Sequence, residues 1–185
     1  MPQLFMLLLG CKPPGRNTEQ HDTFFAIAHT AAELEPQIRA FWPAPKKIHA
    51  DALRWVNCVD DYAIEVVAKT TAINQNFKLW FINLGGYKRG EFDEFHYKLL
   101  TVAANKGAAI AAAKQTAFYK HTGFAGAPAH VDDKYGVDVD DVYELEDVLS
   151  PQLKEQYSIR ITPAHSLPPD RLELGYITMD KLQEL

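Results

Sequence analysis

Leu4-Phe5-Met6-Leu7-Leu8-Leu9-Gly10, with Gly15, Glu19 and His21 behind it, comes twice in this chain, and the repetition governs how the rest is understood. Moved along by 75 positions it falls on Leu79-Trp80-Phe81-Ile82-Asn83-Leu84-Gly85, Gly90, Glu94 and His96. Phe24-Phe25-Ala26-Ile27 falls on Leu99-Leu100-Thr101-Val102, and Ala28 on Ala103, without a gap. Self-similarity at a fixed spacing is a signal about architecture and is read before anything else. Further on, Lys47-Ile48-His49-Ala50-Asp51 meets Pro128-Ala129-His130-Val131-Asp132 at an offset of 81, which predicts a loop insertion between Tyr119 and Pro128. Tyr62-Ala63-Ile64-Glu65-Val66 resembles Tyr157-Ser158-Ile159-Arg160-Ile161. Alternatively Asp60-Asp61 aligns with Asp140-Asp141, which would make Val142 to Leu145 the matching strand.

The expected fold is α+β: two tandem βαββ-like repeats related by pseudo-twofold symmetry. Their helices pack on a mixed or antiparallel sheet, either one continuous sheet or two facing ones. Residues 1–72 form the first repeat, 76–162 the second, and 163–185 a tail packing on the body. Residues 3–9 are an unbroken apolar run, the pattern of a strand buried on both faces. The Pro and Gly residues of 11–17 predict a loop. Asn17 or Thr18 would then cap a helix running to about Trp42, with Phe24, Phe25, Ala28, Ala31, Ala32 and Leu34 on one face. Pro36 should kink or split that helix and Pro43 should end it. Strands are expected near 47–57 and 62–68. The second half repeats the plan with a strand at 78–84 and a helix from about Asp93 to Tyr119, strongest over Ala108 to Ala113. A helical turn after Pro151, a strand at Tyr157–Thr162, a short segment from Leu172 to Ile177 and a terminal turn complete the expectation.

Composition narrows the function classes. A 47% hydrophobic content over 185 residues suits a compact soluble protein. A net charge of −5 leaves no basic footprint for nucleic acid, and no apolar run reaches the roughly 18 residues that span a bilayer. Leu8-Leu9-Gly10-Cys11 looks like a lipoprotein cleavage box, but nothing basic precedes it and the pattern returns mid-chain. The segment is therefore read as a buried strand and the protein as cytoplasmic. Cys11 and Cys58 are expected to be free thiols in a reducing compartment.

Three constellations carry candidate chemistry. Glu19 with His21, repeated as Glu94 with His96, would sit where a strand gives way to a helix, the usual ligand region of α/β architectures. These four are the candidate catalytic residues, weighed against a structural role at the helix N-termini. His49 with Asp51 and His130 with Asp132 have the i, i+2 spacing that puts both side chains on one strand face. They are the candidate metal ligands, set against the plainer reading of a polar interface cluster. The glycine loops, with Gly10, Lys12, Gly15 and Arg16 in the first and Gly85, Gly86, Arg89 and Gly90 in the second, have the ingredients of an anion site but no P-loop or dinucleotide fingerprint. The acidic run from Asp132 to Asp141 lacks the order of a calcium loop and is read as an acidic turn.

The string Gly10-Cys11-Lys12-Pro13-Pro14-Gly15-Arg16-Asn17-Thr18-Glu19-Gln20-His21, then Phe41-Trp42-Pro43 and His49-Ala50-Asp51, resembles a bacterial domain-of-unknown-function family, numbered fifteen forty-three. Asn83 to Tyr87, Glu94 with His96, and His130 to Asp133 are similar to the same family. That resemblance implies a small bacterial cytosolic protein and assigns no activity and no catalytic residue. The leading expectation is therefore a protein that binds a small molecule or anion between the two repeats, as an enzyme or not, with room for a divalent metal and for a homodimer. The rival is a non-enzymatic interaction protein of a regulatory or immunity type. Neither involves nucleic acid or a membrane.

Overall fold

The structure, a computed structural model, describes residues 1–43, 47–127, 129–131 and 142–185. Along the chain come β1 (Gln3–Cys11), β2 (Gln20–Ala28), a 3-10 turn (Ala31–Leu34), α1 (Glu35–Phe41), β3 (Ile48–Val56), β4 (Cys58–Val59) and β5 (Tyr62–Ala68). Then follow β6 (Lys78–Gly86), β7 (Phe95–Ala103), α2 (Lys106–Ala113), α3 (Ala117–His121), β8 (His130–Val131), β9 (Val142–Glu144) and α4 (Leu145–Val148). The chain ends with α5 (Pro151–Gln156), β10 (Tyr157–Pro163), β11 (Leu172–Thr178) and α6 (Met179–Leu182). The architecture is α+β with antiparallel ladders and short helices. No helix among the described residues is long and apolar enough to cross a membrane.

The largest correction concerns the segments after each glycine loop. Gln20–Ala28 and Phe95–Ala103 are strands, not helix starts, so each begins with a hairpin and the βαββ order becomes ββα. The reason lies in the turn. Arg16 N donates to Pro13 O at 3.3 Å, and Gly15 has φ 76. Proline before a glycine at positive φ is the signature of a type II turn, and it folds the chain back on β1. Lys88 to Glu91 turns the same way, with Gly90 at φ 82 and Glu91 N donating to Lys88 O at 3.2 Å. Phe24–Ala28 are all buried, as befits a strand covered on both faces and not a one-sided helix. Helix forms only after residue 30, and Pro36 lies in the first turn of α1, where its missing N–H costs nothing. The alanine-rich helix is present as α2, with Asn105 Oδ1 accepting from Ala108 N at 2.9 Å as its cap.

Two units result, Met1–Ala72 with Leu149–Leu185, and Ile73–Val148. Residues 149–185 therefore cluster with the first unit, and are not divided between a second repeat and a tail. The pairings explain this: β10 lies on β5, and β11 lies on β3. In the first unit one sheet has the order β11-β3-β1-β2 and another the order β10-β5-β4. Phe5, Leu7 and Leu9 of β1 pack in one buried cluster with Leu34, Ile38 and Leu182. At about 1.5–3 kcal/mol for each fully buried large apolar side chain, this cluster is the unit's main stabilisation. In the second unit β6 pairs with β7 on one side, and with β8 and β9 on the other. Trp80, Ile82 and Leu84 pack against Ala109 and Ala113, whose small side chains let α2 lie close to the sheet.

The registers of the two hairpins correspond. Gln3↔Ala28 and Gly10↔His21 in the first become Lys78↔Ala103 and Gly85↔His96 in the second. The third strand follows suit. Gly10↔His49 and Leu7↔Leu53 become Gly85↔His130 and Ile82↔Val142. Val142–Glu144 thus take the place beside β6 that Leu53–Trp55 take beside β1, which is not the place of the Tyr62 strand.

Candidate metal centre

Gly10 organises the site. It lies on the middle of three strands and is the partner of His21 on one side and His49 on the other. Directly paired residues project to the same sheet face. Both imidazoles therefore lean over a position that has no side chain. A Cβ on Gly10 would stand 2.5 Å from His49 Nε2 and 2.9 Å from Asp51 Oδ2. Only glycine leaves this notch.

Asp51 reaches the same spot through a bulge. The β1–β3 register shifts between Leu8 and Leu9, so that Leu8 faces Ala52, Leu9 faces Ala50, and Asp51 is the extra residue. Bulges re-aim side chains and recur beside functional sites. Glu19, immediately before β2, is two residues from His21 and projects to the same face, a relation that a helix would forbid.

The four polar groups converge. His21 Nε2 lies 3.0 Å from Asp51 Oδ2 and 3.7 Å from Glu19 Oε2. His49 Nε2 lies 3.3 Å from Asp51 Oδ1 and 3.3 Å from Glu19 Oε1. Single ligand atoms of Glu19, His21 and His49 all lie within 4.8 Å of one another. The His49 side chain is 4% exposed, against 43% for Glu19, 42% for His21 and 30% for Asp51. The cluster thus has a buried floor and a wet rim. Despite these short distances, the buried atoms His49 Nε2 and Asp51 Oδ2 have no aligned hydrogen bond. A buried polar atom left without one costs about 1–3 kcal/mol. Cys11 adjoins Gly10 but belongs to the hydrophobic core. Burial, helped by the Glu19 carboxylate, pushes its thiol pKa up, which keeps it protonated and inert. Both cysteines are free.

The two Glu-x-His pairs and the two His-x-Asp pairs are expected from the sequence to hold separate roles. In the first unit the structure brings one of each into a single cluster. In the second unit Glu94 Oε2 lies 4.0 Å from His96 Nε2. There Tyr87 Oη donates to Glu94 Oε1 at 2.5 Å, and Asn83 Nδ2 lies 3.2 Å from His96 Nδ1. The side chain of His130, Asp132 and the acidic run to Asp141 lie outside the described residues. The helix N-terminus expected behind each glycine loop is replaced by a strand, which removes the dipole argument for an anion site at Lys12, Gly15 and Arg16, and at Gly85, Gly86, Arg89 and Gly90. Arg89 instead stands over the Phe124 ring at 4.8 Å, and Gly86 makes room for Thr122.

One residue escapes the sequence reading. Tyr176 of β11 stacks on the His49 imidazole, with ring centroids 4.0 Å apart and planes at 27°. The glycine beside it, inside a strand-like run, is the kind of signal that marks a bulge.

These features make an antiparallel α+β protein with a His–carboxylate cluster on one sheet face. Residues 16–66, which hold all four cluster residues, match the family model described as Domain of Unknown Function (DUF1543). The family that the motifs resemble is thus the one found over this stretch. The fold is similar to that of a solved structure, protein Il1583 from Idiomarina loihiensis, at 22% identity and a TM-score of 0.58, over 97% of this chain and 98% of that one. No curated protein matches the chain.

Proposed function

We propose that the first unit binds a divalent transition-metal ion through His21, His49, Asp51 and Glu19. The observation that carries this reading is that one ligand atom each of Glu19, His21 and His49 lies within 4.8 Å of the others, with Asp51 oxygens beside both imidazoles and no aligned hydrogen bond to the buried His49 Nε2. A tetrahedral ion with bonds of about 2.0–2.2 Å holds its ligand atoms about 3.3–3.6 Å apart. The imidazole-to-carboxylate separations here, each histidine facing a different oxygen of each carboxylate, are 3.0, 3.3, 3.3 and 3.7 Å. An imidazole pair with carboxylates suits zinc, manganese, iron or cobalt better than calcium or magnesium, which take oxygen ligands. A cation would also satisfy the buried His49 Nε2.

The exposed rim favours a site that exchanges a ligand over a closed structural one, since structural zinc sites are sealed and catalytic ones keep a position open. A small anionic molecule reaching the metal from that rim is the form in which the small-molecule reading is retained. Hydrolysis by a metal-activated water is the enzymatic version of it. The matching hairpin registers support descent from a duplicated unit. So does the β5–β10 ladder, whose centre pairs Glu65 with Arg160, the residues made equivalent by matching Tyr62–Val66 to Tyr157–Ile161.

Chelator-stripped protein titrated with Zn²⁺, Co²⁺ and Mn²⁺, followed by calorimetry and native mass spectrometry, tests the reading. Bound metal that raises the melting temperature and is lost in His21→Ala and in His49→Ala is expected. Absence of binding, or binding that both variants retain, would overturn it and leave the interaction-protein reading in its place.

A further inference from the structure

We infer that Tyr176 is a positioning residue of this metal centre, an inference that rests on the metal reading above. The tyrosine is 110 residues beyond the end of the family-matched stretch, yet β11 brings it to the same face. Thr178 pairs with His49 and Ile177 with Ala50, whereas Leu174 pairs with Ala52. Gly175 and Tyr176 together therefore stand opposite the single residue Asp51. Gly175 has φ 109, a conformation that L side chains rarely adopt. This second bulge displaces Tyr176 from the regular pleat and lays its ring on the imidazole.

The packing explains why the ring matters. Tyr176 remains 60% exposed, so it contributes little to the core. Its ring stacks on His49, whose Nε2 is buried and is the atom that would meet the metal. An imidazole can rotate about its χ2 bond, and that torsion has a broad well. A ring stacked at 4.0 Å narrows it and fixes the direction of Nε2 before the ion arrives. Hydrogen-bonding groups that orient a ligating imidazole typically matter by about 10–100-fold in metal affinity, and a stacked ring is expected at the lower end of that range. The orienting contact is made by the aromatic face and not the hydroxyl, so phenylalanine should serve as well.

The test compares wild type, Tyr176→Phe and Tyr176→Ala by Zn²⁺ and Co²⁺ calorimetry, with the visible spectrum of bound Co²⁺ and urea unfolding of the metal-free protein alongside. Tyr176→Ala should lose about 10-fold in affinity at the lower end of that range, with an altered Co²⁺ band. Tyr176→Phe should match wild type in both, and the metal-free stabilities of all three should agree. If wild type binds no metal, the proposed function itself falls and this inference with it. If wild type binds and Tyr176→Ala binds equally well with the same spectrum, the metal centre stands and the positioning role is wrong. If Tyr176→Ala loses affinity only in proportion to lost stability, the tyrosine is structural and the inference is overturned.

Discussion

The hairpins β1–β2 and β6–β7 share a register and a Glu-x-His, and the described side chains beside that motif differ between them. In the first, Glu19 and His21 meet His49 and Asp51 over Gly10. In the second, Tyr87 Oη holds Glu94, and Asn83 lies against His96 Nδ1. The positions equivalent to Asn83 and Tyr87 in the first hairpin are Leu8, which has no polar side-chain atom, and Lys12. Register sets which residues share a face. Among the described residues, the neighbours on that face differ between the two hairpins.

Gly10→Ala tests this contrast most severely. Its Cβ would displace His49 and Asp51, so metal affinity measured by calorimetry should fall by about 100-fold, the upper end of what disturbing a ligand's surroundings costs. Gly86→Ala, one position beyond the Gly10 equivalent Gly85, is the control in the second hairpin. Its Cβ would meet Thr122 Cγ2 and Thr122 O at 2.9 Å, away from the cluster residues. Urea unfolding should show a loss of about 1–3 kcal/mol typical of overpacking, with metal affinity unchanged. Equal metal affinities for wild type and Gly10→Ala would remove the notch from the account.

Asp170 distinguishes the first unit in another way. It accepts from Arg54 Nε at 2.7 Å and from the backbone N–H groups of Asn57 and Cys58 at 2.8 Å, with its side chain only 4% exposed. It clamps the segment that leads into β11 against the end of β3. Asp170→Ala leaves a guanidinium and two amides short of their acceptor, and should cost about 2–3 kcal/mol by urea unfolding. It should also weaken metal binding about as much as Tyr176→Ala does, because it loosens the same strand.

His96→Ala should leave the metal binding proposed for the first unit unchanged in calorimetry; a loss comparable to that of His21→Ala would show that the two hairpins act together. The smallest effect is expected at Glu35. Arg39 foremost, then Gln183, hydrogen-bond its carboxylate and hold its pKa below the usual range. A lowered carboxylate pKa adds stability above the unfolded value, which is lost as pH falls through the folded one. Glu35→Gln should therefore narrow the gap between neutral and acidic melting temperatures slightly.

Much of this site is legible in the sequence. The repeat singles out Gly10, Glu19, His21, His49 and Asp51, because chance does not easily return glycines and polar residues in register behind matching apolar runs. The helix expected over Gln20–Ala28 fails for a definite reason. Phe24, Phe25 and Ala28 satisfy a helical face as well as a strand buried on both sides, and a short apolar run does not separate the two. Pro14-Gly15 separates them: its composition marks only a loop, but its order marks a chain reversal.

The buried strands, the alanine helix and the pairing of like motifs follow from the order of residues alone, because apolar runs, helix propensity and self-similarity are local properties. That Glu-x-His and His-x-Asp belong to one cluster is a tertiary fact, since it depends on which strands flank Gly10. The turning of Asp51 and Tyr176 toward that cluster is tertiary too. Each sits at a bulge, a one-residue mismatch between two strands that neither strand's sequence specifies alone.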